Sequence, residues 1–124
     1  MENTYFIDDN LKIIFENYYD QVSMKDIIDL IKNIISDTSF DKGFNVYADF
    51  SNAMPDFSLD INSMKESIDF FRSIEDLFNN CKWAIFAPQD YVYTFSLIFT
   101  KVFNSKKIIV KVFKDEHDAK KWLE

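Results

Sequence analysis

The sequence predicts an α/β fold with a mostly parallel sheet of four to five strands, an N-terminal β-hairpin and about four helices. Two observations lead to this prediction. Short apolar runs typical of strands alternate with segments in which apolar residues recur at three- and four-residue steps, as they do on helices. Two strands come first, separated by a turn, and helices and strands then alternate. The order β-β-α-β-α-β-α-β-α favours right-handed crossovers and parallel pairing after the hairpin.

The first two strands are predicted at Tyr5–Ile7 and Leu11–Glu16, with Asp8–Asn10 as the turn between them. Ser23 and Asp26 have the spacing of a capping box and are expected to open the first helix. The apolar face of that helix is formed by Ile27, Ile28, Ile31, Ile34 and Ile35.

The third strand is predicted at Phe44–Asp49, and a loop is expected from Phe50 to about Phe57. Ser58 or Asp60 would then cap the longest helix. Its apolar face recurs at helical spacing through Ile61, Met64, Ile68, Phe71, Ile74 and Leu77.

The fourth strand, Trp83–Ala87, is uninterruptedly apolar, which indicates burial on both faces, and Pro88 ends it. Asp90 is expected to cap the next helix. The inward residues of that helix would be Phe95, Ile98, Phe99 and Val102.

A fifth strand is predicted at Ile108–Phe113. The last helix is expected to begin at the N-cap Asp115, with Asp118 as the capping-box acid. Ala119, Trp122 and Leu123 share one face of this helix. We expect that face to pack a large aromatic side chain against the sheet and so close the fold.

Length and composition exclude several classes of protein. One domain over residues 1–124 is expected, and 48% hydrophobic residues with 14 Phe suffice for a packed core. The single glycine, Gly43, argues against a glycine-lined phosphate loop and leaves few places for unusual backbone geometry. No apolar run approaches the ~20 residues of a transmembrane helix. Because Met1–Thr4 is polar and acidic rather than basic, we expect a cytoplasmic protein, and no cofactor is predicted.

Charge and cysteine content are also informative. The formal net charge of −7 disfavours nucleic-acid binding, which needs clustered Lys and Arg. Residues 1–100 hold 7 basic and 17 acidic residues, whereas residues 101–124 hold 7 and 4. The single cysteine, Cys81, excludes an intrachain disulfide and a Cys-rich metal site, so no metal is predicted. Its place just before an apolar strand indicates a buried structural thiol.

The element order and the ending Val-Phe-Lys-Asp-x-x-x-Ala-x-x-Trp-Leu at residues 112–123 resemble a family of small bacterial proteins, the STAS-like or SpoIIAA-like (STAS/SEC14-type) family. Three further stretches are similar to the family pattern: Val46–Asp49, Lys82–Pro88 and Asp90-Tyr91. The resemblance covers nearly the whole chain. It implies a four- or five-stranded sheet packed against helices and, typically, no catalytic activity.

The better-known antagonists of this superfamily are switched by phosphorylation of a serine in an Asp-Ser-Ser-Gly turn at a helix N-terminus. This sequence has no such turn. Ser51 and Ser58 lie in roughly the corresponding loop without a following glycine. The switch is therefore not carried over to either serine, and whether one of them is modified stays open.

The leading functional hypothesis is a non-enzymatic protein-interaction or regulatory module. Its surface would be the loop after Asp49 and the start of the Asp90 helix, because open α/β sheets place ligands at the C-terminal ends of their strands. A protein partner is expected, or alternatively a second copy of the chain. The candidate contact residues are Asp49, Ser51, Met54, Phe57, Asp90 and Tyr91.

Two alternatives from other classes are a carrier of a small apolar, lipid-like ligand in a pocket under residues 50–57, and a divergent phospho-acceptor receiver domain that uses Asp49. Asp8-Asp9 and Lys114 imitate the other acidic and basic residues of a receiver, but a strand follows Asp8-Asp9 where a receiver has a helix. A hydrolase is disfavoured because the one histidine, His117, and Cys81 are not expected to form a nucleophile–base pair.

Overall fold

The computed structural model describes residues 1–55 and 61–124. A short 3₁₀ turn, Glu75–Leu77, follows the second helix. The predicted α/β class and the predicted order of elements are confirmed. The main elements of the described residues are β1 (Thr4–Asp8), β2 (Ile13–Val22), α1 (Met24–Ser36), β3 (Asn45–Pro55), α2 (Ile61–Ile74), β4 (Cys81–Phe86), α3 (Asp90–Phe103), β5 (Ile108–Phe113) and α4 (Glu116–Leu123).

The five strands form one sheet in the order β1-β2-β3-β4-β5. β1 pairs with β2 antiparallel, and the other three pairings are parallel. Each new parallel strand is added on the same side of the previous one. Right-handed crossovers therefore place α1, α2 and α3 together on one face, and α4 packs on the opposite face.

The core under α1, α2 and α3 is rich in aromatic side chains. Phe71 of α2 meets Trp83 of β4 edge to face at 5.1 Å between ring centroids, and Phe99 of α3 at 5.2 Å. Such geometries stabilise a core beyond the burial of area. The strands contribute buried aliphatic residues, including Ile14 and Val110.

The face under α4 holds a smaller core of Tyr47, Ala84, Ala119 and Leu123, all buried. Asp115 accepts a hydrogen bond from the Asp118 N–H at 3.1 Å, so the predicted N-cap is confirmed. Trp122 packs against Phe113 with ring centroids 5.7 Å apart. The last helix does close this face, as its apolar spacing predicts.

Local signals near the N-terminus are confirmed. The Asp8 carboxylate accepts hydrogen bonds from the N–H groups of Asn10 and Leu11 at 3.0 Å, which fixes the hairpin turn. Ser23 and Asp26 form the reciprocal capping box of α1. The predicted caps of α2, Ser58 and Asp60, lie outside the described residues.

The predictions for β2 and β3 were too short. β2 runs to Val22 instead of Glu16, and β3 runs to Pro55, so the predicted loop from Phe50 begins as strand. The two strands support each other, because β2 pairs with β3 as far as Val22 and Pro55. Polar side chains such as Asn52 interrupt the apolar pattern there without interrupting backbone pairing.

The predicted inward face of α3 was too wide. Phe95 and Phe99 are buried, but Ile98 and Val102 are 42% and 55% exposed. The side chain of Leu77, expected on the apolar face of α2, is also exposed. α3 is apolar around much of its circumference, and only the stripe that faces the sheet can be buried.

Unusual backbone conformations occur without glycine. Lys12, Asp20, Asn80 and Asn104 have positive φ, whereas Gly43 does not. Asn104 ends α3 in the left-handed conformation, and its N–H donates to the Thr100 carbonyl at 3.2 Å. Asn and Asp reach this region at lower cost than other side chains. The low glycine content therefore does not prevent unusual backbone conformations, contrary to our expectation.

We predict that Leu123→Ala lowers the free energy of unfolding by about 2–4 kcal/mol, because it removes a buried side chain between α4 and the sheet. Leu11→Ala is the matched control, since Leu11 is 60% exposed, and it should change stability by less than about 0.5 kcal/mol. Urea unfolding of the two variants measures both values. Equal stability of the two variants would contradict the placement of α4.

Candidate functional surface and a buried carboxyl group

The segment predicted to form the functional surface contains a β-bulge. Between the paired positions Asn17–Asp49 and Tyr19–Asn52, β3 has one residue more than β2. The Asp49 carboxylate accepts hydrogen bonds from the Ser51 N–H at 2.8 Å and from the Ser51 hydroxyl at 2.6 Å. These bonds stabilise the bulge, because they satisfy a backbone group that regular pairing would otherwise use. Ser51 thus lies inside a strand and not at a helix N-terminus.

Gln89 connects this strand to α3. Its side-chain amide donates to the carbonyl groups of Phe50 at 2.7 Å and Ala53 at 2.8 Å. Gln89 is also the N-cap of α3, so the prediction that Asp90 is the cap is wrong by one residue. Sequence reasoning missed Gln89, since a lone glutamine after a proline is no signal of such a bridge.

Two candidate residues near the end of β3 are exposed. Met54 is 63% exposed and Tyr91 is 44% exposed. The Tyr91 hydroxyl donates to the Pro55 carbonyl at 3.1 Å, which holds the ring beside the strand. Phe57 lies outside the described residues.

Asp90, in the first turn of α3, pairs with Lys114, the residue that follows β5. This ion pair lowers the pKa of the Asp90 carboxyl group. The candidate residues at this end of the sheet therefore comprise the Asp49–Ser51 bulge, the exposed side chains of Met54 and Tyr91, and the Asp90–Lys114 pair.

The acids that imitate a receiver domain are not brought together. Asp8 pairs with Ile13 at the end of the sheet where the parallel strands begin, whereas Asp49 pairs with Phe86, the last residue of β4. Among residues 1–55 and 61–124, no group of three or more His, Cys, Asp or Glu side chains could hold a metal ion.

Cys81 and His117 occupy different environments. Cys81 is buried at the start of β4, and burial raises the pKa of its thiol to about 12, so the thiolate is scarce at neutral pH. His117 is exposed on α4. The predicted burial of Cys81 is confirmed.

The most unusual group in the described structure is Glu16, which sequence reasoning placed at the end of a strand and did not single out. Glu16 is 1% exposed and lies in the middle of β2, between the buried residues Ile14 and Tyr18 on the same face. Glutamate is almost never fully buried without a partner. The sequence did contain a signal of this burial. Glu16 lies between Ile14 and Tyr18 at two-residue spacing, and residues two apart share one face of a strand.

The environment of Glu16 favours its neutral form. The Tyr18 hydroxyl donates to Glu16 Oε1 at 2.7 Å, while Oε2 has no hydrogen-bond partner among the described residues. Burial raises the pKa of Glu16 to about 8, and the hydrogen bond from Tyr18 opposes this increase only in part. The ring of Tyr18 is in turn stacked on Phe50, with centroids 4.5 Å apart.

Glu16 and Tyr18 line a cavity of about 60 Å³ between the sheet and helices α1, α2 and α3. Among the described residues, Ser67 and Ser96 also contribute hydroxyl groups to its wall, and Trp83 is the wall residue with an indole N–H. Ser67 donates its hydroxyl hydrogen to the Met64 carbonyl at 2.8 Å. The other described wall residues are hydrophobic and include Ile27, Ile31, Phe71, Val92 and Phe99.

We predict that Glu16 makes stability fall as pH rises. Its pKa is about 8 in the folded protein, against an ordinary value of 4.5, so the folded state binds more protons than the unfolded state between these values. The contribution is full below pH 4.5 and is lost by about pH 8, on the order of 5 kcal/mol in total.

Urea unfolding at a series of pH values measures this contribution as the difference between the wild type and Glu16→Gln. The subtraction removes the effects of other titrating groups. A difference that stays constant from about pH 5 to about pH 9 would show that the Glu16 pKa is not raised.

Comparison with known proteins supports the fold. No protein-family model matches the sequence, and no curated protein matches it. Within the described ranges, no helix has both the length and the apolar character required to cross a bilayer. A solved structure of an uncharacterized protein from the DUF3478 family, with a SpoIIAA-like fold, from Shewanella loihica PV-4 is similar over 98% of this chain and 92% of that one. The TM-score is 0.62 and the sequence identity is 11%. The expected STAS-like fold is thereby confirmed: the chain has a SpoIIAA-like fold.

Proposed function

We propose that the chain is a non-enzymatic, cytoplasmic protein-interaction module that binds a protein with a basic surface. The contact surface is the end of β3 together with the first turn of α3. The observation that carries the proposal is the exposure of two large side chains near the end of β3, Met54 at 63% and Tyr91 at 44%. Exposed apolar side chains on a well-fixed backbone are typical of interaction sites.

The backbone beneath this surface is held by several independent contacts. Asp49 stabilises the bulge, Gln89 bridges two carbonyl groups of β3, and Tyr91 bonds to Pro55. A surface fixed in this way loses little conformational entropy on binding, which favours affinity.

The charge of the chain supports a basic partner. Residues 1–100, which contain this surface, hold 17 acidic and 7 basic residues, and the formal charge of the whole chain is −7. Complementary charge increases the rate of association and disfavours acidic partners such as nucleic acid.

The two alternatives receive less support. A lipid-like ligand is much larger than the cavity of about 60 Å³, since even benzene occupies engineered cavities of about 150 Å³. A receiver that uses Asp49 would need the acids of Asp8-Asp9 nearby, and Asp8 lies at the other end of the sheet.

We predict that the double change Met54→Ala and Tyr91→Ala weakens binding of the partner at least tenfold, because it removes both apolar contacts. Partners are captured from the protein's own cells with the wild type and with the variant, and the affinity for the stoichiometric one is then measured by calorimetry. Binding should also weaken with added salt, since the charges that attract the partner are exposed.

Leu11→Ala is the control. Leu11 is similarly exposed but lies in the hairpin turn at the opposite end of the sheet, so this variant should bind like the wild type. A partner that binds all three proteins equally would overturn the proposed surface. Self-association that only the double variant loses would assign the surface to a second copy and would contradict a basic partner.

A further inference from the structure

An open groove of about 520 Å³ borders the sheet at β5. β5 is the last strand of the sheet that the described residues form, so none of their strands pairs with its outer edge. Tyr93 of α3 and Trp122 of α4 both line the groove, although these helices lie on opposite faces of the sheet. The groove therefore passes around the outer edge of β5. The other described residues that line it are Lys111, Val112, Phe113, Lys114, Asp118 and Lys121.

The backbone of β5 directs hydrogen-bonding groups towards this edge. The Phe113 carbonyl accepts from the Ala87 N–H at 2.9 Å, so the backbone groups of Phe113 point to the β4 side. Successive residues of a strand direct their backbone groups to opposite sides. Val110 and Val112 therefore direct their N–H and C=O groups outward. The Ile108 N–H agrees with this alternation, since it bonds at 3.1 Å to a serine hydroxyl outside the sheet.

The side chains around this edge are basic, although the chain as a whole is acidic. Residues 101–124 hold 7 basic and 4 acidic residues, against 7 and 17 in residues 1–100. Lys111 and Lys121 are exposed in the groove and form no ion pair with any described residue. Lys114 already pairs with Asp90, and Asp118 is the acidic residue among those described in the wall. The two unpaired lysines therefore favour a partner that carries carboxylates.

We propose that the outer edge of β5 binds an extended acidic segment of another protein, which adds to the sheet as a further strand. The backbone of this segment pairs with Val110 and Val112, and its carboxylates meet Lys111 and Lys121 on the face that carries α4. In strand addition, main-chain hydrogen bonds supply affinity and the side chains supply specificity. This site lies outside the proposed contact at Met54 and takes a partner of the opposite charge.

A second copy of the chain fits this edge less well. Antiparallel self-pairing centred on Val110 would place Lys106 opposite Lys114. Pairing centred between Val110 and Val112 would place Lys111 opposite the same residue of the other copy. Like charges directly opposite each other destabilise a sheet, and lysines on edge strands commonly prevent such self-association. An acidic strand makes the same lysines attractive.

The test uses a capped hexapeptide of alternating Glu and Val, titrated into the isotope-labelled full chain and followed by amide NMR. A peptide with Lys in place of Glu tests the charge preference. The Glu peptide with every backbone nitrogen methylated keeps its charges but has no donors, and it tests strand pairing. We expect saturable shifts and slower hydrogen exchange at Val110 and Val112, with no change at Phe6 in the other edge strand, β1. Neither control peptide should bind.

Charge-reversal variants test the lysines. The double change Lys111→Glu and Lys121→Glu should weaken binding of the Glu peptide roughly tenfold, because two attractive contacts become repulsive. Lys32→Glu with Lys42→Glu is the matched control. It changes the net charge equally at two exposed lysines, one on α1 and one before β3, and should bind like the wild type.

Four results would overturn the proposal: equal affinity for the Glu peptide and either control peptide, shifts at Phe6 in place of Val110 and Val112, no saturable binding of the Glu peptide, or oligomers of the pure chain that Lys111→Glu abolishes. The last result would assign the edge to a second copy. Met54→Ala with Tyr91→Ala should bind the Glu peptide like the wild type, so failure of this proposal and failure of the proposed protein contact are distinguishable.

Discussion

The long parallel pairing of β2 with β3 is the constraint on which the rest of the structure depends. It continues from Ile13 and Asn45 to Val22 and Pro55, across one extra residue in β3. The bulge brings Phe50 under Tyr18, and the stacked rings fix the hydroxyl that bonds to Glu16. The same pairing carries the chain beyond the bulge to Met54, at the surface.

The two faces of the sheet have different roles as a result. Helices α1, α2 and α3 cover one face and form the large core that contains Glu16 and the cavity, while α4 alone packs on the other. The proposed protein contact lies at the end of the sheet, outside both cores. A change at Met54 can therefore alter partner binding without disturbing the core around Glu16.

The sequence predicted the fold well because the fold follows from local signals: turn acids such as Asp8, the capping box at Ser23, and apolar periodicity. It did not predict features that arise from pairing between distant segments. The bulge at Ser51, the bridge from Gln89 and the burial of Glu16 all depend on which strand lies next to which. Of the candidate surface, the sequence located Met54 and Tyr91 correctly at one end of the sheet but gave no sign that Asp90 pairs with Lys114.

A neutral, buried carboxyl group in β2, that of Glu16, is the central feature of this structure. The direct test is a carbon-13 NMR titration of the Glu16 side-chain carboxyl group in the labelled full chain, with Glu16→Gln to assign the signal. We predict a midpoint near pH 8, because burial raises the pKa of this group. A midpoint near the ordinary value of 4.5 would mean that Glu16 is ionised and reached by water, and it would contradict the account.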